Sequence, residues 1–235
     1  MIKPEMMREL LQRRADYTRQ DSPAKKLRRK RFLLFKSLLE TLSRPVRILD
    51  LGGTAEYWDQ MDFRDLDDVQ ITIFNLQRVD VKRDHFVAVT GDAKDLTAYR
   101  DKEFDIVFSN SVIEHVGAFE DQMRMAKEIL RVGKYHYVQT PNYFFPLEPH
   151  FLFPFFQMLP LSVRMLLVRH FRLGWFAKQA DAQAARDLIA SVHLLKRKEI
   201  RKMFPDSLLV RERLWGLTKS FMIISKHEST SRPMS

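Results

Sequence analysis

Three short stretches of the chain carry residues whose types and spacing suit chemistry. In the first, Ile48-Leu49-Asp50-Leu51-Gly52-Gly53-Thr54, an apolar segment runs into a glycine turn. Glycines at that place let a ligand lie against bare backbone. The second, Ser109-Asn110-Ser111-Val112-Ile113-Glu114-His115, closes another apolar segment. One glutamate and one histidine adjacent in sequence do not make a metal site, so no metal ligand set is expected. The third places Glu148 and His150 in the otherwise apolar run from Phe144 to Pro154. A histidine there can take a proton from a substrate hydroxyl. The alternative is a structural His-Glu pair that fixes a loop.

The elements that must position these residues alternate. Strands are expected at 46–51, 69–75, 85–89, 104–109 and 134–139. A helix is expected from Phe119 to Val132, with acids in its first turn, Arg131 near its end and Gly133 as its stop. Strands joined by helical or loop crossovers imply a parallel sheet with helices on both faces. Ligands of such sheets bind beyond the carboxyl ends of the strands. The residues just after each strand therefore become the candidates: Asp50 to Thr54, Asn75, Gly91-Asp92-Ala93 and Asn110. Asp92 has an alternative use as the cap of a helix beginning near Lys94.

Ahead of the sheet, residues 1–45 read as a helical arm. Ser22 can cap a helix that opens with Pro23 and carries Leu27, Leu34, Phe35, Leu38, Leu39 and Leu42 at helical spacing. The basic run Lys25-Lys26-Leu27-Arg28-Arg29-Lys30-Arg31 lies on its first turns, either to grip phosphates or as a solvated face. After the fifth strand, residues 141–195 break the alternation and read as an inserted cap. A helix at 197–204 and two strands at 207–214 and 217–225, joined through Trp215-Gly216, complete the domain as an antiparallel pair. The fold class is thus α/β, with a Rossmann-like, mostly parallel seven-stranded sheet over 46–225. Residues 226–235 are expected to form a frayed tail.

The composition is that of a globular chain, 45% hydrophobic and 30% charged over 235 residues. Absence of cysteine excludes disulfides, thiolate metal sites and cysteine nucleophiles. No signal core and no uncharged apolar run of spanning length is visible, so a cytoplasmic address is expected. The formal net charge of +10 favours anionic partners such as nucleic acid or an anionic lipid surface.

Taken together, these stretches resemble the class I S-adenosylmethionine (SAM)-dependent methyltransferases, within them the broad type 11 group. Asp50 and Gly52 match the acid and first glycine of the family's first motif, while the later glycine positions fall on Thr54 and Glu56. Asn75 stands where the family has an acid for the ribose hydroxyls. Asp92 and Ala93 match the adenine-contacting pair, and 104–116 resembles the stretch lining the methyl-transfer site. The segment from Gln139 to Pro154 is similar to bacterial members acting on glycan or lipid-linked substrates.

The resemblance implies SAM as cofactor, with Asp50, Gly52, Gly53, Thr54, Asn75, Asp92, Ala93 and Asn110 around it. It suits O-methylation of a small, lipid-like or glycan-linked acceptor, for which the residue chemistry above makes His150 and Glu148 the candidate catalytic pair, with a structural pair as the alternative. A basic amphipathic stretch, in which Phe151, Phe153, Phe155, Phe156, Met158 and Leu159 precede Arg164, Arg169 and Arg172, is expected to lie on an anionic membrane or to pack as a lid. An RNA methyltransferase and a non-catalytic binding protein of the same fold are the competing readings.

Overall fold

The computed structural model describes residues 4–16, 18–19, 22–61, 63, 68–81 and 84–226, without the side chains of residues 4–7 and 10. The tail expected at 226–235 lies outside the described residues from 227 onward.

Seven strands form the main sheet: β1 (Val46–Leu51), β2 (Val69–Asn75), β3 (Phe86–Thr90), β4 (Phe104–Asn110), β5 (Gly133–Pro141), β8 (Leu208–Leu214) and β9 (Leu217–Ile224). Their order is β3-β2-β1-β4-β5-β9-β8. The first five run parallel, and β9 is antiparallel to both neighbours. β1 is central, and five of its six residues are buried. A continuous apolar run such as Ile48-Leu49 is what burial on both faces requires.

One face is covered by α2 (Pro23–Leu39) and α3 (Ala55–Gln60). Ser22 Oγ accepts the Lys25 N–H at the start of α2, and Pro23 follows at the first helical position. Phe32, Phe35, Leu38 and Leu39 of α2 are buried there with Trp58 and Phe108. Phe35 meets Phe108 edge-on at a centroid distance of 4.7 Å, and Phe108 stacks on Tyr137 at 5.5 Å. The other face is covered by α4 (Phe119–Val132) and α7 (Arg197–Met203). Met125, Ala126, Ile129 and Val132 recur at helical spacing, which turns one face of α4 onto the sheet.

Two sequence expectations need correction. Residues 92–99 form no helix. Asp92 Oδ1 and Asp95 Oδ1 each accept a backbone N–H two residues on, from Lys94 and Thr97 at 3.0 and 3.1 Å. Such local bonds compete with helical ones and leave turns. The aromatic run of the insertion is also not one surface. Phe151 and Phe156 stack at 4.0 Å inside a small core of the insertion, whereas Phe155 and Met158 are exposed.

That small core lies between β5 and α7. It joins α5 (Leu161–His170), α6 (Ala182–Ala190) and the short ribbon of β6 (Leu147–Glu148) and β7 (Phe153–Pro154). Asn142 bridges to Leu195 at the neck of the segment. The first helix, α1 (Pro4–Ala15), touches the insertion through Gln12 Nε2, which donates to Gly174 O at 2.6 Å.

Candidate active site

The carboxyl edge of the parallel strands carries two groups of functional side chains. At the end of β1 the chain turns through Gly52, whose φ of +74° suits glycine, into Gly53 and α3. A Cβ on Gly53 would fall onto the Asp50 carboxylate, and one on Gly52 would strike Val112. Bare backbone is therefore a steric need of this turn.

Beside the turn lies a cavity of about 200 Å³, lined by Asp50, Gly52, Gly53, Thr54 and Asn110 among others. Asp50 is 1% exposed. Its Oδ2 accepts the Trp58 Nε1–H at 2.7 Å, while its Oδ1 has no partner among the described residues. Burial pushes its carboxyl up to about 7, against the pull of the Trp58 bond. A half-satisfied buried carboxylate is costly unless something completes it. The orphaned oxygen and the glycine turn thus fit a ligand with a positive group.

The other residues expected around a cofactor are placed differently. Asn75 is not among the residues lining the cavity. Its Nδ2 donates to Gly53 O at 3.2 Å, so it braces the glycine turn. Asp92 and Ala93 also lie outside the lining, and the Asp92 carboxylate is engaged by the Lys94 backbone and, at 3.5 Å, by Lys94 Nζ.

The second group sits beyond β4 and β5. Ser111, with φ of +56°, swings the chain across the strand ends, and its hydroxyl donates to Gln139 Oε1 at 2.7 Å. Glu114 follows, fully buried, and accepts the Thr140 hydroxyl at 3.0 Å through Oε2. Its Oε1 has no partner among the described residues. Burial raises the Glu114 carboxyl to about 7, although His150 and the Thr140 bond pull it down.

Glu148, on β6, has both oxygens engaged. It accepts the His150 N–H and Nδ1 at 2.7 Å each and the Phe151 N–H at 2.5 Å. The His150 ring is thereby locked with Nδ1 toward Glu148. Burial opposes charge on His150, but the Glu148 bond and charge, with that of Glu114, outweigh it and raise its pKa above the ordinary value.

Sequence reasoning missed one juxtaposition. His115 packs edge-on to His150 with ring centroids 4.7 Å apart. Glu114, His115 and His150 each bring a potential ligand atom within 4.8 Å of the others, a set able to hold a divalent cation. The His115 Nδ1 lies 3.2 Å from Ser191 O. Burial and the neighbouring His150 charge lower the His115 pKa. Nothing in the spacing of residues 114, 115 and 150 shows this contact, because the insertion that carries His150 folds back to make it.

Residues 52–136 match the family model described as a methyltransferase domain. An uncharacterized protein of Mycobacterium tuberculosis is 38% identical over 66 residues, covering 28% of this chain and 22% of that one. The chain thus spans about a fifth of the length of the curated relatives it matches.

Among solved structures, the CurJ carbon methyltransferase superposes with a TM-score of 0.54 at 12% identity. That match covers 94% of this chain and 57% of that one. A SAM-dependent methyltransferase from Methanosarcina mazei gives a TM-score of 0.48 at 16% identity, over 80% and 95% of the two chains. The fold is the Rossmann-like α/β fold of methyltransferases, and residues 52–136 match a methyltransferase domain.

Proposed function

We propose that this protein transfers the SAM methyl group to a hydroxyl of a small, lipid-like or glycan-linked acceptor. The observation that carries this reading is one shared edge. The glycine-turn cavity with the half-satisfied Asp50 and the locked Glu148–His150 pair both stand beyond the carboxyl ends of the parallel strands.

In this reading residues 46–225 form the catalytic domain, and the insertion at about 141–195 caps the acceptor. Asp50, Gly52, Gly53, Thr54 and Asn110 face the cofactor, Asn75 holds the turn, and Asp92 with Ala93 flanks the adenine end. The cofactor supplies a methyl group made electrophilic by its sulfonium. The chain aligns the acceptor and keeps water away. His150 Nε2 receives the proton leaving the acceptor hydroxyl, with Glu148 holding the opposite nitrogen.

The surface of the insertion supports an acceptor presented at an anionic membrane. Leu166, Phe171 and Trp175 are each at least half exposed, with Arg169 and Arg172 among them. Among the described residues no helix is long and apolar enough to cross a membrane. Contact from the cytoplasmic side of the inner membrane is the setting this reading implies. A second reading is favoured by the Glu114, His115 and His150 cluster. In it, Glu114, His115 and His150 would hold a divalent cation that would supply Lewis-acid chemistry at the acceptor oxygen, with His150 a ligand in place of base.

The test is transfer of isotope-labelled methyl from SAM to three acceptor sets: hydroxylated amphiphiles in anionic vesicles, soluble glycans, and RNA. Labelling of either of the first two, abolished in His150→Ala and unaffected by prior chelation, supports the base reading. Chelator-sensitive labelling supports the cation reading. Labelling confined to RNA overturns the proposal.

A further inference from the structure

A second cavity, of about 380 Å³, opens between the insertion and the start of α4. No residue lines both it and the cavity at the glycine turn. Arg164 stands one turn after Leu161 on α5, and Arg186 one turn before Ile189 on α6. Helical spacing therefore turns two arginines and two apolar residues onto the same hollow. Val192 and His193 line it from the segment after α6.

The charge there is of one sign. Arg164 and Arg186 line the cavity, and no acid among the described residues does. Arg164 Nε is buried without a partner among the described residues. Neighbouring acids are engaged elsewhere. Asp121, which lies against Gly117, faces Lys94 and Arg124 at 3.7 and 3.9 Å, and Asp187 accepts from Gln183 at 2.7 Å. A buried donor without a partner is costly, and two like charges in one hollow repel. An anion relieves both. Two guanidinium forks suit a phosphate, whose several oxygens take parallel N–H pairs from each, whereas a lone carboxylate needs one fork. The wall formed by Leu161, Ile189 and Val192 is apolar, which suits an apolar group attached to that phosphate.

This cavity borders the Glu114 side of the strand ends. His193 N donates to Glu114 O at 2.8 Å, and Gln122 Nε2 donates to Ile113 O and His193 O at 3.0 and 2.8 Å. The His193 wall is thus fastened to the segment that carries Glu114 and His115.

We propose that Arg164 and Arg186 bind the phosphate of an apolar phosphate ester. That this ester is the methyl acceptor rests on the methyl-transfer reading above, while the binding itself does not. The site narrows lipid-like and glycan-linked acceptors to those that bear a phosphate.

Calorimetric titration in the absence of SAM tests the site with three probes: octyl phosphate, octan-1-ol and inorganic phosphate. Wild type should bind octyl phosphate more tightly than either of the others. Arg186→Gln, at an exposed position, and Arg164→Met, which keeps an apolar stem, should each weaken octyl phosphate by about 10- to 100-fold. Lys178→Met removes an exposed charge of the insertion outside the cavity and should bind octyl phosphate like wild type. The melting temperature of each variant shows whether it is folded.

Wild type that binds octyl phosphate no better than octan-1-ol, or no better than inorganic phosphate, would overturn the proposal. So would wild-type affinity in folded Arg186→Gln and Arg164→Met. An equal loss in Lys178→Met would reduce the effect to net charge and overturn it too. Failure of the folded protein to bind S-adenosylhomocysteine would count against the methyl-transfer reading alone, and the octyl phosphate result would still decide the site.

Discussion

Two buried carboxylates at the same edge of the sheet are used in opposite ways. Glu148 accepts three N–H bonds, two from backbone and one from His150, so both of its oxygens are engaged. Asp50 accepts one bond from Trp58 and keeps a buried oxygen without a described partner beside a cavity. The engaged carboxylate builds a loop and aims a ring. The half-satisfied one is costly in the empty fold, and in the proposed function a ligand completes it. The two differ in partners and not in depth, since both are almost completely buried.

Removal of Glu148 should have the largest effect. Glu148→Ala strands a raised-pKa histidine and two backbone donors, and should cost about 3–5 kcal/mol in chemical denaturation. A loss no larger than that of an ordinary surface change would mean the loop is held by other contacts.

Gly53→Ala comes next. Its added methyl meets the Asp50 carboxylate, and the strain should lower stability by about 1–3 kcal/mol and abolish measurable S-adenosylhomocysteine binding. Wild-type affinity in that variant would show that the turn yields freely.

A third effect is smaller and has a definite sign. The Asp50 carboxyl is raised from 3.8 to about 7 in the folded chain. Between those values the folded state keeps a proton that the unfolded state has released. Stability contributed by Asp50 therefore falls as pH rises through that window. Asp50→Asn should flatten part of the pH dependence of the melting temperature between about pH 4 and 7. An unchanged slope would place the proton elsewhere, for example on Glu114, which burial also raises to about 7.

The smallest expected change is kinetic. His150 acts as a base only when neutral, and Glu148 raises its pKa. Turnover should climb with pH through an inflection above the ordinary histidine value of 6.5. Glu148→Gln should move that inflection to lower pH, and an unmoved profile would detach Glu148 from His150.

The fold was largely legible in the chain because buried parallel strands write themselves as apolar runs. The run at 46–51 and the helix at 119–132 have the bounds expected from the sequence, and Ser22 with Pro23 marks the start of α2. Six-residue α3 escaped notice because it is shorter than two turns and its N-cap Thr54 makes no side-chain bond. The residues after 92 misled because aspartates that cap helices also close turns.

At the site, the glycine turn was readable from its own residues. Two other features were not, since each depends on elements far apart in sequence. Arg28 reaches the cavity only because α2 packs beside α3, and His115 meets His150 only after the insertion folds back. Burial also divided the insertion's aromatic residues between a core and a surface, which composition alone does not do.

The proposed function puts the cofactor at the half-satisfied carboxylate of the glycine turn. Its most direct test is titration of S-adenosylhomocysteine into the wild-type protein and into a folded Asp50→Ala variant at one pH. Binding in the micromolar range by wild type, lost in the variant, is the predicted result. No binding by folded wild type, or equal binding by both proteins, would contradict it.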